Sequence, residues 1–198
     1  MASKLTQLTQ EKTAAELQSM SREAYKWLLR KVAFIRNPRS IPPTIKREQD
    51  RYTNRPLLGK MYFFYYDPKT KTELPYYDTF PLVLVLDKYA DGFLGLNLHY
   101  LPLKYRVIFL DKLMQYAQYD DDDEVKKIKI TYDILDSARR LREFRPCLKR
   151  YLYSHVKSRI LTVQPAEIDV AVFLPIQRFV KEKAQTVWKE SVQEIRNS

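Results

Sequence analysis

Between residues 59 and 101 the apolar positions crowd into short runs, whereas on either side they recur at helical spacing. KMYFFYY (60–66) is a run of β-favouring aromatics, and DPKTKT after it supplies a turn with Pro68. ELPYYDTF (73–80) reads as a short strand or an irregular crossing. PLVLVL (81–86) has no polar alternation, which predicts a strand covered on both faces. DKYADG then turns the chain, and FLGLNLHYL (93–101) returns as the partner strand, with Gly92 in the turn and Gly95 at a close approach or bulge.

Before this window, SREAYKWLLRKVAFI places Tyr25, Leu28, Leu29 and Val32 on one face, so a helix is predicted over 22–35. After it, Val107, Leu110, Leu113 and Met114 give a helix over 103–119. A second follows near 131–144, a third starts at Pro146 with CLKRYLYSHVKSRIL, a short element falls near 165–173, and PIQRFVKEKAQTVWKESVQEI forms the last helix. The pattern therefore predicts an α+β fold. A small antiparallel sheet of three to four strands at about 59–101, with an SH3-like barrel as one form, is flanked by an N-terminal helix and several C-terminal helices. In domain terms, 1–20 reads as a flexible N-terminal arm and 21–198 as a single α+β domain, with 36–56 an extended basic connector containing four prolines.

Composition changes the picture mainly through charge. The net charge of +11 is unevenly spread: residues 22–60 hold 11 basic and 3 acidic residues, and residues 126–160 hold the same numbers, so each block is +8. The intervening 61–125 holds 6 basic and 11 acidic residues, or −5. A polyanion is the simplest partner for two such blocks, the alternative being a generally basic, solvated surface. The predicted contacts are Arg22, Lys26, Arg30, Arg36, Arg39, Lys46 and Arg47 in the first block. In the second they are Arg139, Arg140, Arg142, Arg145, Lys149, Arg150, Lys157 and Arg159, eight cations against the single acid Glu143. There the cations are expected on one helical face, with Leu141, Phe144, Leu148, Leu152 and Val156 on the other. Arginine predominates, and its planar fork suits paired contacts with phosphates or carboxylates.

Common chemistries find little footing. Two histidines and one cysteine without HxH, HxxxH or CxxC argue against a metal centre, and DDDDE (120–124) lacks the alternation and glycine of an EF-hand. With only three glycines, no phosphate-cradling loop can be drawn, so no cofactor is expected. His99 reads as a structural or surface histidine opposite Leu98. His155, one turn from Tyr151 and Arg159 in the predicted helix, could share the nucleic-acid face. A metal-dependent nuclease would have to draw on Asp67, Asp78, Asp87 and Asp91, whose spacing matches no nuclease signature. Cys147 reads as a small buried residue. No apolar run approaches the roughly 18 residues of a membrane span, and the N-terminus lacks the pattern of a secretory signal, so a soluble intracellular protein is expected.

GKMYFFYYDPKTKTELPYYDTFPLVLVLDKYADGFLGLNLHYLP together with FRPCLKRYLYSHVKSRIL resembles small virion and assembly proteins of large contractile-tailed bacteriophages, over about residues 21–190. The resemblance implies a DNA-end-binding or head-completion protein, or a neck or tail component. Its partners would be other virion proteins in a multi-subunit assembly and double-stranded DNA, with no membrane. Its location would be the virion, and the host cytoplasm during assembly. It supplies no catalytic residues. Three functions follow as expectations: a non-enzymatic virion protein contacting packaged DNA at its end or at the head–tail junction, a structural assembly subunit docking on acidic protein faces, or a nuclease.

Overall fold

The computed structural model describes residues 51–102, 105–106, 142–164, 167–174 and 176–197. Eight strands are antiparallel: β1 (Tyr52–Thr53), β2 (Met61–Phe63), β3 (Tyr77–Asp78), β4 (Leu82–Lys88), β5 (Gly92–Asn97), β6 (Leu148–Leu152), β7 (Ile160–Val163) and β8 (Phe179–Val180). Six of them form one sheet in the order β1-β7-β2-β4-β5-β6, and β3 pairs with β8 in a second, two-stranded sheet. Also among the described residues are a short helix α1 (Ile168–Phe173), a longer one, α2 (Ala184–Asn197), and 3-10 helices at Leu98–Tyr100, Arg142–Cys147 and Tyr153–His155.

This corrects the predicted α+β architecture in three respects. The sheet has six strands rather than three or four, and it recruits β1, β6 and β7 from outside the 59–101 window. It is not a closed barrel, because β1 and β6 are its two edges and do not pair. Among the described residues one long helix, α2, stands where several C-terminal helices were expected. The predicted helix after Pro146 is two strands, β6 and β7, joined through the 3-10 helix 153–155. The predicted helices 22–35, 103–119 and 131–144 lie wholly or largely outside the described residues, as do the arm 1–20 and nearly all of the connector 36–56.

The helical reading of 147–161 fails for a physical reason. Leu148, Tyr151, Leu152 and Val156 do fall at helical spacing, but over so short a run that period cannot be told from two strands meeting at a turn. Long-range pairing decides. Tyr151 stands opposite Phe93 and Leu148 opposite Leu96, and the Phe93 and Tyr151 rings stack with centroids 5.3 Å apart.

Alternation along the strands sorts the core into two clusters, one on each face of the sheet. Met61, Phe63, Leu82, Leu84, Leu86, Leu96, Leu161 and Val163 belong to the first, which is capped by Tyr100, Leu101, Cys147, Ala171, Val172 and Val187. Tyr62, Phe64, Tyr66, Val83, Val85, Phe93, Tyr151 and Ile160 form the second. β4 is thus buried on both sides from Leu82 to Leu86, as its unbroken apolar run predicted. Cys147 is fully buried as expected, and that burial pushes its thiol up to about 12.

Gly95 marks a close approach. A Cβ there would lie 2.2 Å from Val83 Cγ1, while the register shift of the hairpin falls on the opposite strand, between Val85 and Asp87.

Candidate nucleic-acid interface

The two basic blocks meet at the β1–β7 edge of the large sheet. Tyr52 pairs with Leu161 and Thr53 with Ile160, so the strand that carries the end of the first block lies along the end of the second. The connection from β6 to β7 is fixed in place by the segment after β2. Lys157 N–H donates to the Tyr65 carbonyl at 2.8 Å, Tyr65 N–H donates to Ser158 Oγ at 2.8 Å, and Asp67 N–H donates to the His155 carbonyl at 3.1 Å. His155 Nδ1 lies 2.8 Å from the Asp67 carbonyl, which can only accept, so this nitrogen carries the proton. His155 therefore helps to fix the connection.

The result is an edge of uncompensated cations. Arg55, Lys60, Lys157 and Arg159 are exposed, and none has a carboxylate partner among the described residues. The Arg159 guanidinium sits 5.4 Å from the centre of the Tyr52 ring, which fixes a long side chain without neutralising it. Beside them lies a groove of about 510 Å³ lined by Arg51, Thr53, Arg55, Lys60, Thr162 and Gln164, among others. Arg51 is the exception, since it is paired with Glu167.

At the opposite edge, Arg150 of β6 is ion-paired with Asp91 at 2.5 Å and lies over the Tyr89 ring at 4.3 Å. Lys149, its neighbour, is partly buried and makes no ion pair, with Glu194 acting on it only at longer range. Its ammonium lies 4.4 Å from the centre of the Tyr100 ring. Arg145 is exposed in the 3-10 helix 142–147. Arg142 opens that helix.

Among the predicted contacts, Arg22, Lys26, Arg30, Arg36, Arg39, Lys46, Arg47, Arg139 and Arg140 lie outside the described residues. The helical basic face proposed for 139–159 is replaced, from residue 148 onward, by two separated strand ends: Lys149 and Arg150 on one edge, Lys157 and Arg159 leading to the other. Arg55 was not singled out in the sequence reading, and Lys60 figured only as the end of the first block. Pairing with β7 brings Arg55 to the side of Lys157 and Arg159, whereas Lys60, one residue before the Met61–Val163 pair, lies at the other end of that strand. Tyr151 is buried and Tyr153 partly so, both in the second core cluster.

The four aspartates weighed for a nuclease are spent separately. Asp67 pairs with Lys71 at 3.0 Å, and Asp91 pairs with Arg150. Asp87 accepts from the Lys88 amide at 2.8 Å. Asp78 is buried. Among the described residues no three His, Cys, Asp or Glu side chains gather as a metal site would require.

Among the described residues Asp78 and His99 form a fully buried polar pair. Asp78 Oδ1 accepts from the amides of Phe80 (3.0 Å) and Arg178 (3.1 Å), and Oδ2 accepts from His99 Nδ1 (2.6 Å) and Asn97 Nδ2 (3.3 Å). The His99 carbonyl in turn accepts from Trp188 Nε1 (2.8 Å) and Arg106 Nη2 (3.3 Å), and Arg106 Nε donates to the Leu101 carbonyl at 2.8 Å. Burial alone would raise Asp78. His99, then the Phe80 and Arg178 amides, outweigh that and hold its carboxyl below the usual range. Burial, reinforced by the Arg106 guanidinium, holds His99 below its usual range, so the ring is neutral and gives its Nδ1 proton to Asp78. Burial likewise lowers Arg106 to about 10. With both side chains almost completely buried, this pair serves to lock elements together. It ties β3 to the end of β5, to the backbone entering β8 and, through Trp188, to α2. His99 is therefore structural and fully buried in a 3-10 helix rather than standing on a strand face opposite Leu98.

The fold and its edges define a basic antiparallel-sheet protein. Among the described residues Asp67, Asp78 and Asp91 are engaged in ion pairs or hydrogen bonds, and Arg55, Lys60, Lys157 and Arg159 are exposed cations without a carboxylate partner around β1 and β7. A model of the family described as Phage T4 terminal DNA protecting protein matches residues 4–192, and the chain belongs to that family. The match takes in residues 4–20, which the sequence resemblance had left outside. No curated protein and no solved structure matches the chain.

Proposed function

We propose that this chain is a phage virion protein that binds the ends of linear double-stranded DNA and acts by occupying them rather than by chemistry. The observation that carries the reading is the pairing of β7 with β1 and β2, which brings Arg55 to the end of β7 that carries Lys157 and Arg159 and sets Lys60 at its other end, none of the four with a carboxylate partner among the described residues. Such cations contact phosphates and give affinity without base specificity, which suits a protein that must accept any terminal sequence. The family description, a protein protecting terminal DNA, agrees with it. In this reading the protein works at the DNA end or the head–tail junction of the particle, beside other virion proteins, after assembly in the host cytoplasm.

A second reading is favoured by one feature. Leu57 and Leu58, next to Lys60, are 52% and 42% exposed. They would suit an assembly subunit docking on another virion protein, with the cations meeting acidic protein faces.

One titration separates the two. Four phosphate contacts predict that log K falls with log salt with a slope of about −3.6, or about a hundredfold loss of affinity for linear duplex between 50 and 200 mM salt. Absence of binding at low salt, or affinity indifferent to salt, rejects the DNA reading in favour of docking.

A further inference from the structure

Between the segment 66–77 and the edge strand β6 lies a cavity of about 460 Å³, well within the range of small-molecule sites. Its walls are aromatic, with Tyr66, Tyr76, Tyr77, Tyr100 and Tyr151 among them, and Lys69, Lys149 and Arg150 also line it. The segment that closes it is held from outside. Lys181, the one non-glycine residue with positive φ among the described residues (75°), donates its ammonium to the carbonyls of Thr72 (3.0 Å) and Leu74 (2.6 Å).

Two features of this cavity point to an anion carried on a flat ring. Lys149 is a partly buried ammonium with an aromatic face beneath it and no ion pair. Glu194 acts on it only from beyond ion-pair distance, and burial rather than Glu194 dominates its environment. A cation in that position bears a desolvation cost that a bound anion relieves. The polar groups deepest in the lining, Asp78 and Asn97, are already engaged with each other and with neighbouring groups. They are not free to read the edge of a base. What remains for a ligand is the aromatic surface with Lys69 and Lys149, since Arg150 is paired with Asp91. The acids near Tyr76 belong to α2 and its approach, where Glu190 accepts from the Tyr76 hydroxyl. Aromatic surface with positive charge is the combination with which proteins hold unpaired nucleotides irrespective of sequence.

We propose that this cavity receives the unpaired terminal nucleotide of a DNA end, its base against Tyr76 and Tyr77 and its phosphate on Lys149. The inference rests on the DNA-end reading above and adds to it a feature that duplex binding along the β1–β7 edge cannot supply, recognition of the terminus itself. Because base–aromatic stacking contributes about 1–3 kcal/mol per base, the preference for an end with an unpaired nucleotide is about tenfold or more, with little dependence on which base it is.

The test compares the affinity of the full chain for one duplex in two forms, with single-nucleotide overhangs and with both ends closed by hairpin loops. The expected result is at least tenfold tighter binding of the overhang form, abolished by Lys149→Met and by Tyr77→Ala, with hairpin-capped affinity unchanged in both variants. Lys149→Met also reports on its own role. Because burial disfavours this cation more than Glu194 favours it, removing it is expected to leave the melting temperature of the free protein unchanged or raised, whereas a merely structural lysine would lower it. Equal affinity for the two forms in the wild type overturns the cavity proposal and any preference for ends, leaving only salt-sensitive duplex binding in place. An overhang preference that survives both substitutions overturns the cavity proposal alone. A cavity that serves a partner protein's peptide gives that second outcome. Failure to bind either form overturns both this proposal and the reading it rests on.

Discussion

Asp78→Ala lowers the stability of the protein by about 3–5 kcal/mol, since it orphans four buried donors at about 1–3 kcal/mol each with partial relaxation. These are the amides of Phe80 and Arg178, the Asn97 side chain and the His99 ring. A domain with about 5–15 kcal/mol in total barely survives such a loss. Asp78→Asn keeps the shape, and three of the four contacts can still find an acceptor, so its cost is about 1–3 kcal/mol. Urea denaturation checks the ranking: the midpoint falls in the order wild type, Asn, Ala, at an unchanged slope. An Ala variant with a wild-type midpoint would show that the buried network is incidental to the fold. The same network sets the pH response. Both groups lie below their ordinary values when folded, so the unfolded chain binds more protons and stability falls as pH falls. The loss begins below about 6.5, where His99 protonates in the unfolded chain, and deepens below 3.8 as Asp78 does so too.

Reversing Arg55, Lys60, Lys157 and Arg159 to Glu together removes salt-sensitive DNA binding. The slope of log K against log salt becomes shallower by about 3–4, and affinity at 50 mM salt drops by about a hundredfold or more, because each lost phosphate contact accounts for about 0.9 of slope. These side chains are exposed, so the folded state tolerates the changes. The control reverses Lys183 and Lys189, which are equally exposed and belong to the segment leading into α2 and to α2 itself. That variant is expected to bind as wild type. If it is equally impaired, the net charge of +11 rather than the β1–β7 edge governs binding, and the interface is misplaced.

Short-range pattern revealed those parts of this fold whose partners are close in sequence. The aromatic run 60–66 contains β2, PLVLVL is β4, and the return strand is β5, all joined by turns visible in the residues themselves. The amphipathic stretch at the C-terminus gives α2, starting at Ala184 rather than at residue 175, because β8 and the positive φ of Lys181 come first. The pairings of β6 with β5 and of β7 with β2 and β1 join segments about 50 to 110 residues apart, and no local period encodes them. That is why Leu148, Tyr151, Leu152 and Val156 mimic a helix. The candidate interface divides in the same way. Its charge is plain in the two +8 blocks, but which cations come near β7 depends on long-range pairing: β1 brings Arg55, β2 brings Lys60 to the far end, and Lys149 is separated from Arg159. LPYYD and NLHYLP were conspicuous in the sequence without showing their connection. The structure joins them through Asp78 and His99, and the aromatics on either side of that joint line the cavity.

The most direct test of the central claim is protection of a linear duplex against a nuclease that digests only from ends. The account predicts that saturating protein keeps the termini intact while an endonuclease still cuts the interior of the same molecule, and that the four-site Glu variant leaves the termini open. Termini digested at the rate of bare DNA, or interior cleavage suppressed as strongly as end digestion, would contradict it.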